Sequence, residues 1–312
     1  MTEIQKVYNF DDFAGQECNQ HGLIVGNFDG VHVGHKSLLK SYISRCQKLK
    51  IEPVLLTYKQ HPWFYLNQNN EKHLILNKAQ NYKHLFELGI VKIVEVDFLL
   101  VYKMEAGDFL EFLNNKLSRL KLLFLGHDSS IGCDKKHASE LVSRTSFNFE
   151  IKVENDAEKC EDVIVSSTLI RENLLAGNIE LVNKFLERNY CLNGKVVRGK
   201  GIGSRQLYPT LNLEVDKKIL IPKNGVYATF VFMNSQKMLS VTNIGHNPTV
   251  DNDGDIKIET YVLDEEFIDT SLDLNIYFLG RIRDEKKFDS FDALKKQITL
   301  DIAHVKKHYG KN

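Results

Sequence analysis

The sequence has no surplus of either charge: Lys and Arg number 41, and Asp and Glu number 41. No global field therefore draws the chain to nucleic acid or to an anionic membrane, and any polyanion it binds must be met by a local site. No apolar run approaches the ~20 residues that span a bilayer. The opening Met1-Thr2-Glu3-Ile4-Gln5-Lys6 lacks the basic patch and apolar core of a signal peptide. The five cysteines (Cys18, Cys46, Cys133, Cys160, Cys191) are odd in number and form no Cys-x-x-Cys pair; they read as reduced packing thiols. These absences point to a cytoplasmic protein. What is present is ordinary for a chain with real cores: 43% hydrophobic and 26% charged residues in 312, which excludes a disordered, collagen-like or low-complexity chain. At roughly 150 residues per domain, that length suggests two domains.

The first half alternates apolar runs with helix-period segments. Candidate strands are Leu23–Val25, Val54–Thr57, Ile90–Val96 and Leu122–Leu125. Leu38, Leu39, Tyr42, Ile43, Cys46 and Leu49 hold one helical face, and further helices fit Lys78–Leu88 and Ala106–Leu117. This alternation predicts an α/β, doubly wound parallel sheet. After about residue 188 the texture changes. Segments 194–198, 224–233, 238–244, 256–263 and 272–279 are β-branched or aromatic and separated by turn residues, which suggests a small antiparallel β-barrel. A C-terminal helix follows, with Ser290 as N-cap and Phe291, Leu294, Ile298, Ile302 and Val305 as its stripe. The border falls after the helix capped by Asn178, giving domains 1–186 and 187–312.

Leu23-Ile24-Val25 runs into Gly26-Asn27-Phe28-Asp29-Gly30-Val31-His32-Val33-Gly34-His35, and a helix follows. Glycine lets backbone approach a ligand closely, and a helix start offers unpaired N–H groups to an anion. His32 and His35, three apart, share a face of the first turn and can donate hydrogen bonds to phosphate oxygens. A Gly-rich turn before a helix is common, and His-x-x-His also occurs in metal sites; strand, glycines and paired histidines together favour phosphate. Val165-Ser166-Ser167-Thr168-Leu169-Ile170-Arg171 opens another helix, ended by Gly177. Its hydroxyls can be plain caps, and Arg171 adds a planar fork suited to phosphate.

Gly-x-Phe-Asp-Gly-Val-His-x-Gly-His followed by Ser-Ser-Thr-x-Ile-Arg resembles the bacterial bifunctional riboflavin kinase/FMN adenylyltransferase (FAD synthetase) family, as does Thr57-Tyr58-Lys59-Gln60-His61-Pro62. The resemblance covers nearly the whole chain. It implies adenylyl transfer from ATP to FMN with loss of pyrophosphate, with Gly26, Phe28, Asp29, Gly30, His32, Gly34, His35, Ser167, Thr168 and Arg171 on the nucleotide. His61, Pro62 and Asp128 are implied on the flavin side. The family's Gly-x-Asp/Asn-Phe-x-Phe-Gly reads here Gly126-His127-Asp128-Ser129-Ser130-Ile131-Gly132, so both aromatics are absent, and a later family glycine is Ala138.

In the second half, Gly199-Lys200-Gly201-Ile202-Gly203-Ser204 precedes Pro209-Thr210-Leu211-Asn212. A Gly-rich basic loop can wrap phosphates, but without Gly-Lys-Ser/Thr it is no Walker A sequence, and Lys195, Arg198, Lys200 and Arg205 also fit a solvated hairpin edge. Pro-Thr-x-Asn is similar to the family's Pro-Thr-Ala-Asn, which implies Mg²⁺-ATP held by oxygens of Thr210 and Asn212. Ile258-Glu259-Thr260-Tyr261 resembles the segment whose glutamate is the general base for the riboflavin 5′-hydroxyl; alternation alone makes Glu259 a wet strand face. By the same resemblance Tyr227 and Arg283 lie toward flavin, and the small-molecule partners are riboflavin, FMN, FAD and ATP. Two stretches depart from the family, at Gly203–Leu207 and at Tyr261. They leave two alternatives: an FMN adenylyltransferase whose barrel has lost kinase turnover, and a non-catalytic flavin-binding regulator. His304 and His308 fit a solvated helix end, and Trp63-Phe64-Tyr65 a core or rim.

Overall fold

The computed structural model describes residues 6–66, 73–126, 129–141, 147–154, 159–160, 163–197, 210–233, 235–246, 256–264 and 273–310. It packs as two compact units: Met1–Glu71 with Lys78–Ser166, and Lys72–Asn77 with Ser167–Asn312. No helix among the described residues is long and apolar enough to cross a membrane.

The first unit runs β1 (Lys6–Asn9), α1 (Phe10–Gly15), β2 (His21–Val25), α2 (Val33–Leu49), β3 (Glu52–Tyr58), α3 (Lys78–Leu88), β4 (Lys92–Val96), α4 (Ala106–Lys116), β5 (Leu120–Gly126) and β6 (Glu150–Glu154). The six strands form one parallel sheet in the order β1-β4-β3-β2-β5-β6. Apolar runs are what such a sheet needs, because successive side chains enter cores on opposite faces. Leu23, Val54, Leu56, Leu123 and Leu125 meet Phe10, Phe13, Leu110 and Leu113 on one face. Ile24, Leu55, Leu122 and Phe124 meet Leu39, Tyr42, Cys46 and Leu85 on the other. The sheet is therefore doubly wound, as expected. β2 has β3 on one side and β5 on the other, so the connections diverge there, and in open α/β sheets the crevice beyond the strands' carboxyl ends at such a point takes ligands. The loop leaving that end of β2 is Gly26–His32.

The second unit begins with α5 (Ser167–Ala176) and α6 (Ile179–Leu186). A closed barrel follows: β7 (Cys191–Val197), β8 (Leu211–Val215), β9 (Gly225–Met233), β10 (Gln236–His246), β11 (Ile256–Val262) and β12 (Asp273–Arg283), with α7 (Phe291–Tyr309) last. The strands pair antiparallel in the order β7-β8-β11-β10-β9-β12, and β12 returns to β7. Five of these strands match sequence-predicted segments. The sixth, β8, hides in the Pro-Thr-Leu-Asn-Leu motif, with Leu211 and Leu213 buried. Ser290 caps α7, its Oγ accepting the Ala293 N–H at 3.2 Å. The expected stripe is buried at Val305, half-buried at Leu294, Ile298 and Ile302, and exposed at Phe291.

Packing divides the chain at Ser166/Ser167, whereas the sequence reading puts the domain border at 186/187. The physical reason lies in α6, whose Asn183 amide donates to the Phe278 carbonyl of β12 at 2.8 Å. Segment Lys72–Asn77 joins the same unit. Leu220 N–H donates to Leu74 O at 2.8 Å, and Arg171 Nε donates to His73 O at 2.8 Å.

Candidate active sites

The loop after β2 is built under strain. Gly30 has φ of +86°, which costs glycine little, but Phe28 (+48°) and Val31 (+41°) also lie in the left-handed region. For a β-branched residue that is a true outlier, held only where its surroundings over-determine it. Those surroundings are apolar: Phe28 and Val31 are buried in the core under α2. From α3, the buried Asn81 ties the loop from the side, its Oδ1 accepting the Gly30 N–H at 3.2 Å and its Nδ2 donating to Asn27 O at 3.3 Å. Asn81→Leu should cost the loop about 1–3 kcal/mol through unpaired buried groups. Its expected signature is slower FAD formation from FMN with unchanged phosphorylation of riboflavin, read by chromatography.

His32 is the N-cap of α2, its Nδ1 accepting the His35 N–H at 3.3 Å. An accepting Nδ1 puts the proton on Nε2, so that nitrogen is the donor of this imidazole. The His35 ring stacks on it at 3.6 Å and 22°, with the Phe28 ring edge-on to His35 at 5.1 Å. A Cβ on Gly34 would stand 3.3 Å from Val165 O, so a larger residue there would crowd the chain that leads to Ser166. At the carboxyl end of β3, His61 Nδ1 accepts the Trp63 N–H at 3.2 Å, and Pro62 O accepts the Tyr65 N–H at 3.0 Å. His61 and Pro62 thus stand on the sheet edge that carries the histidines. Asp29 is buried; Asp128 lies outside the described residues.

Ser167 and Thr168 occupy the first turn of α5, half-buried and exposed respectively. Arg171, one turn further, is half-buried and spends its Nε on the His73 carbonyl.

On the barrel, register brings Asn212 and Glu259 directly opposite each other on β8 and β11, and Asn243 of β10 stands opposite Glu259 on its other side. Thr210 is exposed just ahead of β8. Gly199, Gly201, Gly203 and Pro209 lie outside the described residues. Tyr227 is fully buried, its hydroxyl donating to the Lys223 carbonyl with the Arg281 guanidinium 5.9 Å over its ring. Burial pushes that hydroxyl's pKa above the ordinary tyrosine value. Arg283 grips the buried carboxylate of Asp301 on α7, Nη2 to Oδ2 at 2.7 Å and Nε to both oxygens at 3.1 Å. Both barrel residues that the resemblance assigns to flavin therefore have partners within the fold. Among the described residues no three His, Cys, Asp or Glu side chains gather as a metal site. Thr210 and Asn212 instead offer hard neutral oxygens, a donor set that suits Mg²⁺ already carried by a triphosphate.

Sequence reasoning missed Asn81 and Asp301, and it gave Asn243 no role although Asn243-Ile244-Gly245 is similar to a family stretch. The first two left a signal: Asn81 shares a helical face with Leu85, and Asp301 interrupts the stripe between Ile298 and Val305.

A doubly wound sheet with a paired-histidine loop at its switch point, joined to a closed barrel with a carboxylate between two amides, defines an ATP-using transferase of two parts. The FAD synthetase model matches residues 16–169 and the riboflavin kinase model residues 186–309. The bifunctional riboflavin kinase/FMN adenylyltransferase of Buchnera aphidicola (from Acyrthosiphon pisum) is 29% identical over 99% of both chains. The protein of that name from Escherichia coli K12 is 26% identical over 99% of this chain and 98% of its own. A solved structure described as a macrolide-efflux protein from Streptococcus pneumoniae is 28% identical and covers 98% of this chain and 100% of its own, with a TM-score of 0.87. The chain belongs to the bifunctional riboflavin kinase/FMN adenylyltransferase family. It phosphorylates riboflavin to FMN with ATP, and transfers the adenylyl group of ATP to FMN, giving FAD and pyrophosphate. With both halves matched, neither the monofunctional nor the non-catalytic alternative is favoured.

Proposed function

We propose that residues 1–186 carry adenylyl transfer and residues 187–312 riboflavin phosphorylation, each with its own ATP and Mg²⁺, in the cytoplasm and without nucleic acid as a partner. The observation that carries this reading is the pairing of Glu259 with Asn212 across two barrel strands. It puts an acceptor-only carboxylate beside a neutral oxygen donor on one face.

In the kinase half, the riboflavin 5′-hydroxyl oxygen attacks the γ-phosphorus. Its proton passes to the Glu259 carboxylate, the bond from γ-phosphorus to the bridging oxygen breaks, and ADP leaves. Thr210 and Asn212 hold the triphosphate end, with Gly199, Gly201, Gly203 and Pro209 shaping the loop around it, and Tyr227 and Arg283 bounding the flavin side. Bound Mg²⁺ supplies charge neutralisation on the phosphate oxygens in both halves.

In the adenylyltransferase half, a phosphate oxygen of FMN attacks the α-phosphorus of ATP and pyrophosphate leaves. That oxygen is already an anion, so no protein base or nucleophile is required. The work is alignment and charge stabilisation. The Nε2–H of His32 and the ring of His35 meet the phosphates at the start of α2, over the backbone of Gly26, Phe28, Asp29, Gly30 and Gly34. Ser167, Thr168 and Arg171 add nucleotide contacts by motif match, and His61, Pro62 and Asp128 contact the acceptor.

Incubating the protein with riboflavin, ATP and Mg²⁺ should give FMN and then FAD, separable by chromatography. EDTA in excess should stop both. FAD from supplied FMN, with none from riboflavin, would remove the kinase half of this reading.

A further inference from the structure

Burial fixes which way the barrel strands face around Glu259. Ile258, Thr260 and Val262 of β11 are buried, as are Thr242 and Ile244 of β10 and Leu211 and Leu213 of β8. By alternation Asn212, Glu259 and Asn243 all point outward. Register sets them side by side, Asn212 opposite Glu259 and Glu259 opposite Asn243. The inner face locks that register, because the hydroxyls of the opposed pair Thr242 and Thr260 bond at 2.9 Å and Thr242 bonds on to Thr229 at 2.8 Å. A slip by one residue would turn Glu259 into the barrel.

Side chains directly opposite on neighbouring strands have Cβ atoms about 4.5–5.5 Å apart, within reach of an amide and a carboxylate. The Asn212 side of Glu259 continues to Thr210 and the triphosphate. With Glu259 as general base, the Asn243 side is the one proposed for the incoming alcohol. A glutamate has three freely rotating bonds, and an unrestrained one seldom presents a lone pair to a hydroxyl. An asparagine at that flank has an N–H to donate to one carboxylate oxygen, leaving the other for the substrate, and adds no charge of its own. Two residues along β10 the carboxylate of Glu285 lies over Gly245 and accepts from the Asn224 amide at 3.3 Å, so a neutral donor suits a face that already carries two acids.

We propose that Asn243 is a positioning residue for riboflavin phosphorylation, its side-chain amide holding the Glu259 carboxylate toward the 5′-hydroxyl. The inference rests on the reading of Glu259 as general base. The test is a double-mutant cycle on the full chain, comparing wild type, Asn243→Ala, Glu259→Gln and the double variant. FMN formation gives kcat and KM, and each protein's FAD formation from FMN serves as its control for folding. Asn243→Ala should lower kinase kcat about 10- to 100-fold with the riboflavin KM within about twofold, and Asn243→Ser, which keeps a donor, should recover part of the loss. In the Glu259→Gln background the same change should cost nothing further, because a group acting through Glu259 has nothing left to orient. Equal losses in both backgrounds, or a raised KM at unchanged kcat, would overturn the proposal. If Glu259→Gln alone keeps wild-type kcat, the general-base reading fails, and that outcome is distinct from a failure at Asn243.

Discussion

Glu259→Gln should lower FMN formation from riboflavin by about 10²–10⁴-fold, the usual contribution of a positioned general base, while FAD formation from supplied FMN stays within about twofold. The substitution is nearly isosteric. It changes the one property the step requires, since an amide cannot take the proton of the 5′-hydroxyl. Folding should tolerate it because Glu259 faces outward and is half-buried between two amide side chains, and no hydrogen-bonded core is opened. The internal control lies in the same polypeptide, whose other activity reports the amount of folded protein. If the variant phosphorylates riboflavin at the wild-type rate, the carboxylate is the wet strand face that alternation alone suggests, and the proton must leave to solvent or to ATP.

Much of the architecture is legible in the sequence because parallel sheets and amphipathic helices write long, periodic signals. Lys78–Leu88 is a helix over those same residues, and the strand runs 23–25, 54–57 and 122–125 lie within β2, β3 and β5. Short or half-wet strands write weaker ones. β1 is a sheet edge with little of its surface buried, and β8 is five residues inside a turn-like motif. The histidine loop is legible as a phosphate site because glycines and imidazoles are rare in that order. Its support is only faintly legible, in the helical face that Asn81 shares with Leu85, because Asn81 lies 51 residues from Gly30. The same holds for Arg283, whose partner Asp301 is set by how α7 docks, and for Asn243, which becomes informative only once the barrel register places it against Glu259. The border at Ser166 is likewise set by tertiary contacts within the second unit, since α5 and α6 read from sequence as continuations of the α/β half.

His32→Asn separates two jobs that one imidazole performs. Asparagine is among the best N-caps, so the bond that His32 Nδ1 makes to the His35 N–H has a replacement acceptor and α2 should keep its start. The side chain is shorter and lacks the imidazole Nε2–H. The donor meant for phosphate is therefore lost while the cap survives. Removing one preorganised donor from a developing anion costs about 10²–10³ in kcat. FAD formation should fall by that factor, with riboflavin phosphorylation and the thermal unfolding midpoint both unchanged. His35→Gln should act in the same direction and should also remove the ring stacked at 3.6 Å on His32. The two losses should not add, because that contact fixes each ring's orientation and removing either disorders the other. A lowered midpoint accompanying the loss of FAD formation in His32→Asn would assign the residue to the cap rather than to phosphate. Unchanged FAD formation would remove His32 from the phosphate contacts and leave them to His35, the backbone amides of α2 and the start of α5.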